Sequence, residues 1–231
     1  MTLQDFFSST AGQICSIAAI VVLFGLILWS GRGRQLEPKV MAISALLVAL
    51  SVILNQISIF KMPQGGAITF FGMVPIVLCA YFYGVRRALM AGMCVGLVYL
   101  VFNPYVIHPV QLLLDYPLAF GALAFGGFFA NRKHGLVIGY VFGVFCRYIC
   151  NFLSGAIFFG AYAPEGFNAV TWSLWYNATY LGVEMIITVI LLSLPPVRNL
   201  FEHLKYLAGE RHIAPPRTEE PQPDESQSAA D

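Results

Sequence analysis

The sequence predicts an all-α, polytopic membrane protein with a six-helix body and one additional N-terminal transmembrane helix. Three observations predict it. Of 231 residues, 58% are hydrophobic and only 11% charged, where soluble domains carry about 25% charge. Mean hydropathy is +0.73. The apolar residues also gather into runs close to the roughly 20 residues that a helical span requires.

Taken in order between charged or Pro/Gly breaks, roughly seven runs appear: 11 to 29, 40 to 59, 69 to 83, 87 to 103, 108 to 130, 135 to 160 and 172 to 194. The first has no ionisable residue and is set off by the Gly31-Arg32-Gly33-Arg34 linker, so residues 1–36 read as a peripheral anchor and 37–196 as the membrane body. The third is short and contains Pro75, which predicts tilt, a kink or a re-entrant path. After Pro195 and Pro196, residues 197–231 comprise an amphipathic stretch, Val197 to Leu207, and a Pro/Glu/Ser/Gln-rich tail of disordered composition from Glu210.

Lys and Arg in the short loops fix an expected orientation. Arg32, Arg34, Lys39, Arg86, Arg87, Arg132, Lys133 and Arg198 fall on one side and only Lys61 on the other. This predicts a multi-pass cell-membrane protein with its N-terminus outside and its C-terminus in the cytoplasm. A net charge of +1 gives no field for nucleic acid. Cys15, Cys79, Cys94, Cys146 and Cys150 lack metal or redox spacing and read as apolar filler. His108 and His134 have no second ligand at metal spacing. No phosphate-binding Gly-x-x-x-x-Gly-Lys and no nucleophile, base and orienter occur together, so neither a catalytic site nor a metal site is expected.

Ionisable side chains within the runs are costly in a bilayer and face the protein interior, which singles out Asp115, Arg147 and Glu184. At 1.5 Å per residue, Asp115 lies about 10 Å, Asn151 about 15 Å and Asn177 about 8 Å below the outer span ends, one shared outward level. Arg147 and Glu184 reach a common depth one turn further in, where they could pair as a structural ion pair. Arg147, Asn151, Ser154 and Phe158 form one helical stripe; Ser173, Asn177, Tyr180 and Glu184 form another, with Trp172 and Tyr176 beside it. A carboxylate, two carboxamides and aromatics at one level suit a small cationic or heteroaromatic ligand. Trp172 and Tyr176 also fit an interfacial aromatic belt, and Asn151 interhelical packing. For Asp115 no basic partner is expected at its depth. Pro117 cannot donate to the carbonyl of Leu113, so the helix should be open beside Tyr116. Gly135, Gly139 and Gly143 predict close approach of a neighbouring helix; Ala45 and Ala49 predict either internal packing or a docking face.

Four segments then resemble one family, the thiamine-specific substrate-binding (S) component of energy-coupling factor (ECF) transporters: Met62-Pro63-Gln64-Gly65-Gly66-Ala67-Ile68-Thr69, Leu114-Asp115-Tyr116-Pro117-Leu118-Ala119-Phe120, Ser154-Gly155-Ala156-Ile157-Phe158-Phe159, and Tyr162-Ala163-Pro164-Glu165-Gly166-Phe167-Asn168 continuing to Tyr176-Asn177-Ala178. They occur in order over roughly residues 40 to 195. The resemblance implies a six-helix S-component bundle with an outward vitamin pocket lidded by residues 60 to 69. It implies thiamine as ligand, without a cofactor, held by Asp115, Tyr116, Asn151, Phe159, Trp172, Tyr176 and Asn177. Asn151 stands where the family pattern has His, so one polar contact is altered. The resemblance further implies docking through Ala45 and Ala49 onto a transmembrane coupling subunit that works with two cytoplasmic ATPase subunits. A hydroxymethylpyrimidine precursor as ligand, a purely structural membrane subunit and an intramembrane enzyme using Asp115 or Arg147 are the competing readings.

Overall fold

The computed structural model describes residues 37–209. The expected first span, its Arg-rich linker and the tail from Glu210 lie outside these residues. Helix α1, Pro38–Gln56, starts on a proline, whose missing N–H costs nothing in a first turn. It buries one stripe only, Val40, Leu47, Ser51 and Asn55. The helix stops three residues short of the expected span end. Ser58–Lys61 instead forms strand β1, paired antiparallel with β2, Ala67–Thr69. The β-branched residues Ile57 and Ile59 prolong the apolar run while favouring extended backbone. The intervening turn sets Gln64 and Gly65 at positive φ, 63° and 88°. Ser51 Oγ and Asn55 Nδ2 donate to Gly72 O at 2.6 and 3.0 Å, tying the hairpin's exit to α1.

Helix α2, Val74–Tyr83, has 10 residues, and its first seven, Val74 to Ala80, are buried without a break. At about 15 Å it is too short to span a bilayer; apolar all round, it belongs in the interior. Pro75 lies in its first turn, so the expected kink is replaced by a helix start. Gly84, at φ 85°, reverses the chain into α3, Val85–Phe102.

Helix α4, Pro109–Phe129, is broken as expected. An α-turn gives way to a π-helical segment over Leu114–Leu118 around Pro117, then to a 3-10 segment over Leu123–Phe129. The missing proline N–H is absorbed by the wider turn. Its neighbours accept the irregular backbone because they are glycines: a Cβ on Gly96 of α3 would strike the Tyr116 carbonyl. On α5, Gly135–Phe158, a Cβ on Gly143 would lie 2.6 Å from Leu123 O. The stripe of Gly135, Gly139 and Gly143 thus seats the end of α4 directly on α5, as small-residue faces in membranes do. Helix α6, Ala169–Ser193, packs along α5 and begins with a reciprocal cap between Asn168 and Thr171. Helix α7, Pro195–Gly209, is the expected amphipathic stretch. The Lys205 ammonium of α7 donates to Ala130 O and sits 4.1 Å from the Tyr81 ring centre, while Lys39 Nζ donates to Leu207 O at 3.0 Å.

Among the described residues five helices, α1, α3, α4, α5 and α6, are long and apolar enough to cross a membrane. The hairpin and α2 return the chain between α1 and α3, which run in the same direction, so the Arg86–Arg87 and Arg132–Lys133 turns, the start of α1 and α7 gather at one end. The hairpin and the loops at 103–108 and 159–168 meet at the other.

Candidate binding cavity

Beneath the hairpin, walled by α3, α4, α5 and α6, lies a cavity of about 320 Å³, at the small end of small-molecule sites. All seven expected ligand residues line it: Asp115, Tyr116, Asn151, Phe159, Trp172, Tyr176 and Asn177, together with Arg147 and Glu184. The depth and phase of the polar stripes therefore identify one chamber.

Asp115 lies in the π-helical turn and lines the cavity. Its Oδ2 accepts from Gln111 Nε2 at 2.7 Å; that amide is itself held by Tyr105 O and Ile107 N–H. Among the described residues Asp115 makes no ion pair with a basic partner, although Arg147 lies within electrostatic reach of it. Ser154 Oγ is also near but has no formed hydrogen bond.

The expected Arg147–Glu184 ion pair is not made. Equal depth does not mean equal azimuth. Arg147 lays its guanidinium 3.9 Å from the centre of the Phe120 ring, leaving Nε and Nη1 without hydrogen-bond partners. Glu184, nearly fully buried, turns to the hairpin: Thr69 N donates to Oε2 at 2.8 Å and Thr69 Oγ1 to Oε1 at 2.9 Å. Two turns of α6 nearer the mouth, Tyr176 OH accepts from Gly66 N at 2.9 Å and donates to Pro63 O. A Cβ at residue 66 would lie 2.6 Å from that hydroxyl, which is why glycine stands there. Two side chains of α6 thus fasten the expected lid over the cavity.

Tyr116 lines the cavity with its ring alone. Its hydroxyl accepts from Tyr105 N and donates to Asn103 O, both at 2.8 Å, and so shapes the 103–108 loop. Phe159 stacks on Tyr105 with centroids 5.9 Å apart; opposite, Trp172 lies 5.8 Å from Tyr176. Phe158 leaves the predicted stripe to stack on His108 at 4.7 Å, and His108 caps α4 by accepting from Val110 N–H. Ala45 and Ala49 are exposed on α1, facing away from the cavity and the protein interior.

Among the charged groups of the chamber, Asp115 and Glu184 oppose Arg147, while Lys61 stands exposed on the rim. By residue type the buried interior therefore holds two carboxyl groups against one guanidinium, and the rings of Phe159, Trp172 and Tyr176 line the same chamber. Gln111, Tyr105 and Tyr99 also line it without having been singled out in the sequence, and Thr69 had been read only as the end of the lid segment. Only Gln111 left a signal, four residues before Asp115 on one helix face.

The family model described as thiamine transporter protein matches residues 41–202. The thiamine transporter ThiT of Bacillus subtilis is 40% identical over 166 residues, which cover 65% of this chain and 86% of that protein. The thiamine transporter ThiT of Lacticaseibacillus paracasei is 29% identical over 140 residues, covering 53% and 70%. Among solved structures, ThiT from Listeria monocytogenes superposes with a TM-score of 0.57 at 26% identity, over 70% of this chain and 96% of the other.

Proposed function

The chain belongs to the thiamine transporter family, and from that premise we propose that the cavity under the hairpin is where it binds thiamine for import. It is a transport protein of the membrane and not an enzyme. The observation that carries the reading of the cavity is its buried Asp115 carboxyl in a chamber that aromatic rings also line. Thiamine is a cation made of two heteroaromatic rings. A ring face within reach of a cation contributes about 0.5–2 kcal/mol, and a carboxylate at contact distance contributes more. Asp115 balances the thiazolium charge; Phe159, Trp172, Tyr176 and Tyr116 enclose the rings; Asn151 and Asn177 supply polar contacts.

The finer reading follows the same line. The chain is the substrate-binding component of an ECF importer, taking thiamine from outside and delivering it inward with a transmembrane coupling subunit and two ATPase subunits. The concentration of Lys and Arg at the end opposite the cavity supports a cytoplasmic C-terminus and an outward-facing mouth. Ala45 and Ala49 are the docking positions on α1, a reading supported by their exposure among the lipid-facing residues Leu46, Leu50 and Ile53.

Calorimetry of the detergent-purified chain tests the central part. Stoichiometric thiamine binding that is abolished by Asp115→Ala supports it. Absence of binding, or undiminished affinity in that variant, overturns it.

A further inference from the structure

Three polar side chains on α5 and α6 form a hydrogen-bond relay whose direction is fixed by the backbone. Asn177 Nδ2 reaches two main-chain carbonyls, Ser173 O at 2.9 Å and Asn151 O at 3.4 Å. Carbonyls only accept, so the amide of Asn177 has one possible orientation there, and its Oδ1 must face Tyr180. Tyr180 OH donates its single proton to that oxygen at 2.9 Å. Toward Asn151 the same hydroxyl can then only accept, and it does so from Asn151 Nδ2 at 2.8 Å. Asn151 is thereby held with its nitrogen committed to protein. Its remaining atom, Oδ1, is buried without a partner on a residue that lines the cavity. Such an orphaned acceptor costs about 1–3 kcal/mol.

We propose that Asn151 is a fixed hydrogen-bond acceptor that reads an N–H donor on the ligand, the exocyclic amine of an aminopyrimidine, and that Tyr180 is the positioning residue that sets this polarity. The inference rests on the reading of the cavity as the thiamine site and adds a specificity to it. A free carboxamide can turn to offer either edge; this one cannot, because the relay begins at backbone carbonyls that cannot change role. The neighbours of Asn151 on the α5 stripe, Arg147 one turn before and Ser154 one turn after, also present unpartnered polar atoms, and those of Arg147 are donors. The stripe therefore places a fixed acceptor beside fixed donors and matches a ring edge that carries an amine next to acceptor atoms. An oxo-pyrimidine, whose amine is replaced by a carbonyl oxygen, would set oxygen against oxygen at Asn151.

The test compares thiamine with oxythiamine, its oxo analogue, by calorimetry on the purified full-length chain and on the variants Asn151→Ala and Tyr180→Phe. Thermal unfolding verifies that each variant is folded. The wild type is expected to prefer thiamine by about tenfold or more, the equivalent of one acceptor left buried and unpaired. In Asn151→Ala the preference collapses toward unity because the acceptor is gone. In Tyr180→Phe it collapses because the amide is free to turn. Should Tyr180→Phe not fold, Asn151→Ala alone decides. A wild type without preference, or a preference that survives in the folded variants, overturns the acceptor assignment while thiamine binding itself stands. Failure of the wild type to bind thiamine overturns instead the reading of the site on which the assignment rests.

Discussion

Replacing Thr69 by Val removes a single hydroxyl from the lid and changes little else, since the two side chains are nearly isosteric. In the closed hairpin that hydroxyl donates to the Glu184 carboxylate at 2.9 Å, in a position where Thr69 is nearly fully buried. The Thr69 N–H bond to Glu184 survives the substitution, as do the bonds between Tyr176 and the turn. The loss is therefore one hydrogen bond to a charged group, about 1.5–3 kcal/mol. That bond exists only while the hairpin is docked on α6, so its loss falls on the closed state. Thiamine should then leave about ten- to a hundredfold faster, with a smaller change in the association rate. Chasing radiolabelled thiamine from the detergent-purified variant with excess unlabelled vitamin measures this directly. A chase rate indistinguishable from wild type, in a variant that unfolds at the wild-type temperature, would refute the fastening of the lid through Glu184.

Gly143→Val should lower the unfolding temperature, because its first carbon would already lie 2.6 Å from Leu123 O; overpacking of this kind costs about 1–3 kcal/mol, and size-exclusion profiles after graded heating read it. Lys205→Met should cost about 1–2 kcal/mol by removing the bond to Ala130 O and the contact with the Tyr81 ring. Thiamine affinity should be unchanged in that variant, because α7 lies at the end opposite the cavity; thermal unfolding and calorimetry measured side by side separate the two effects. Ala45→Leu combined with Ala49→Leu should leave binding by the purified chain intact while abolishing thiamine uptake by cells. Normal uptake by that double variant would remove the docking role from this face of α1.

The site was legible in the sequence wherever the signal was helical phase. Asn151 and Ser154 on one helix, and Ser173, Asn177, Tyr180 and Glu184 on the next, were expected on common faces, and the structure turns both faces to one cavity. The break at Pro117 was legible because a missing donor is a local fact. Azimuth between helices was not: Arg147 and Glu184 share a depth, yet one lies on Phe120 and the other holds the hairpin. The strand at Ser58–Lys61 was hidden because hydropathy does not distinguish an apolar strand from one more turn of helix, although the Pro63-Gln64-Gly65-Gly66 turn that follows marks a reversal of the chain. The hydroxyl of Tyr116 could not be assigned to the 103–108 loop without knowing where that loop returns.

In the proposed site the positive charge of the ligand is balanced by Asp115. Asp115→Asn keeps the shape of the side chain and an oxygen for Gln111 while removing the charge. Two unit charges about 4 Å apart at an effective dielectric near 20 interact by about 4 kcal/mol. Calorimetry of this variant with thiamine and, in competition, with the uncharged hydroxymethylpyrimidine fragment therefore isolates the ionic contribution. Thiamine affinity should fall about a hundredfold or more while the neutral fragment is held nearly as before. An equal proportional loss for both ligands, or undiminished thiamine binding, would contradict this role of Asp115.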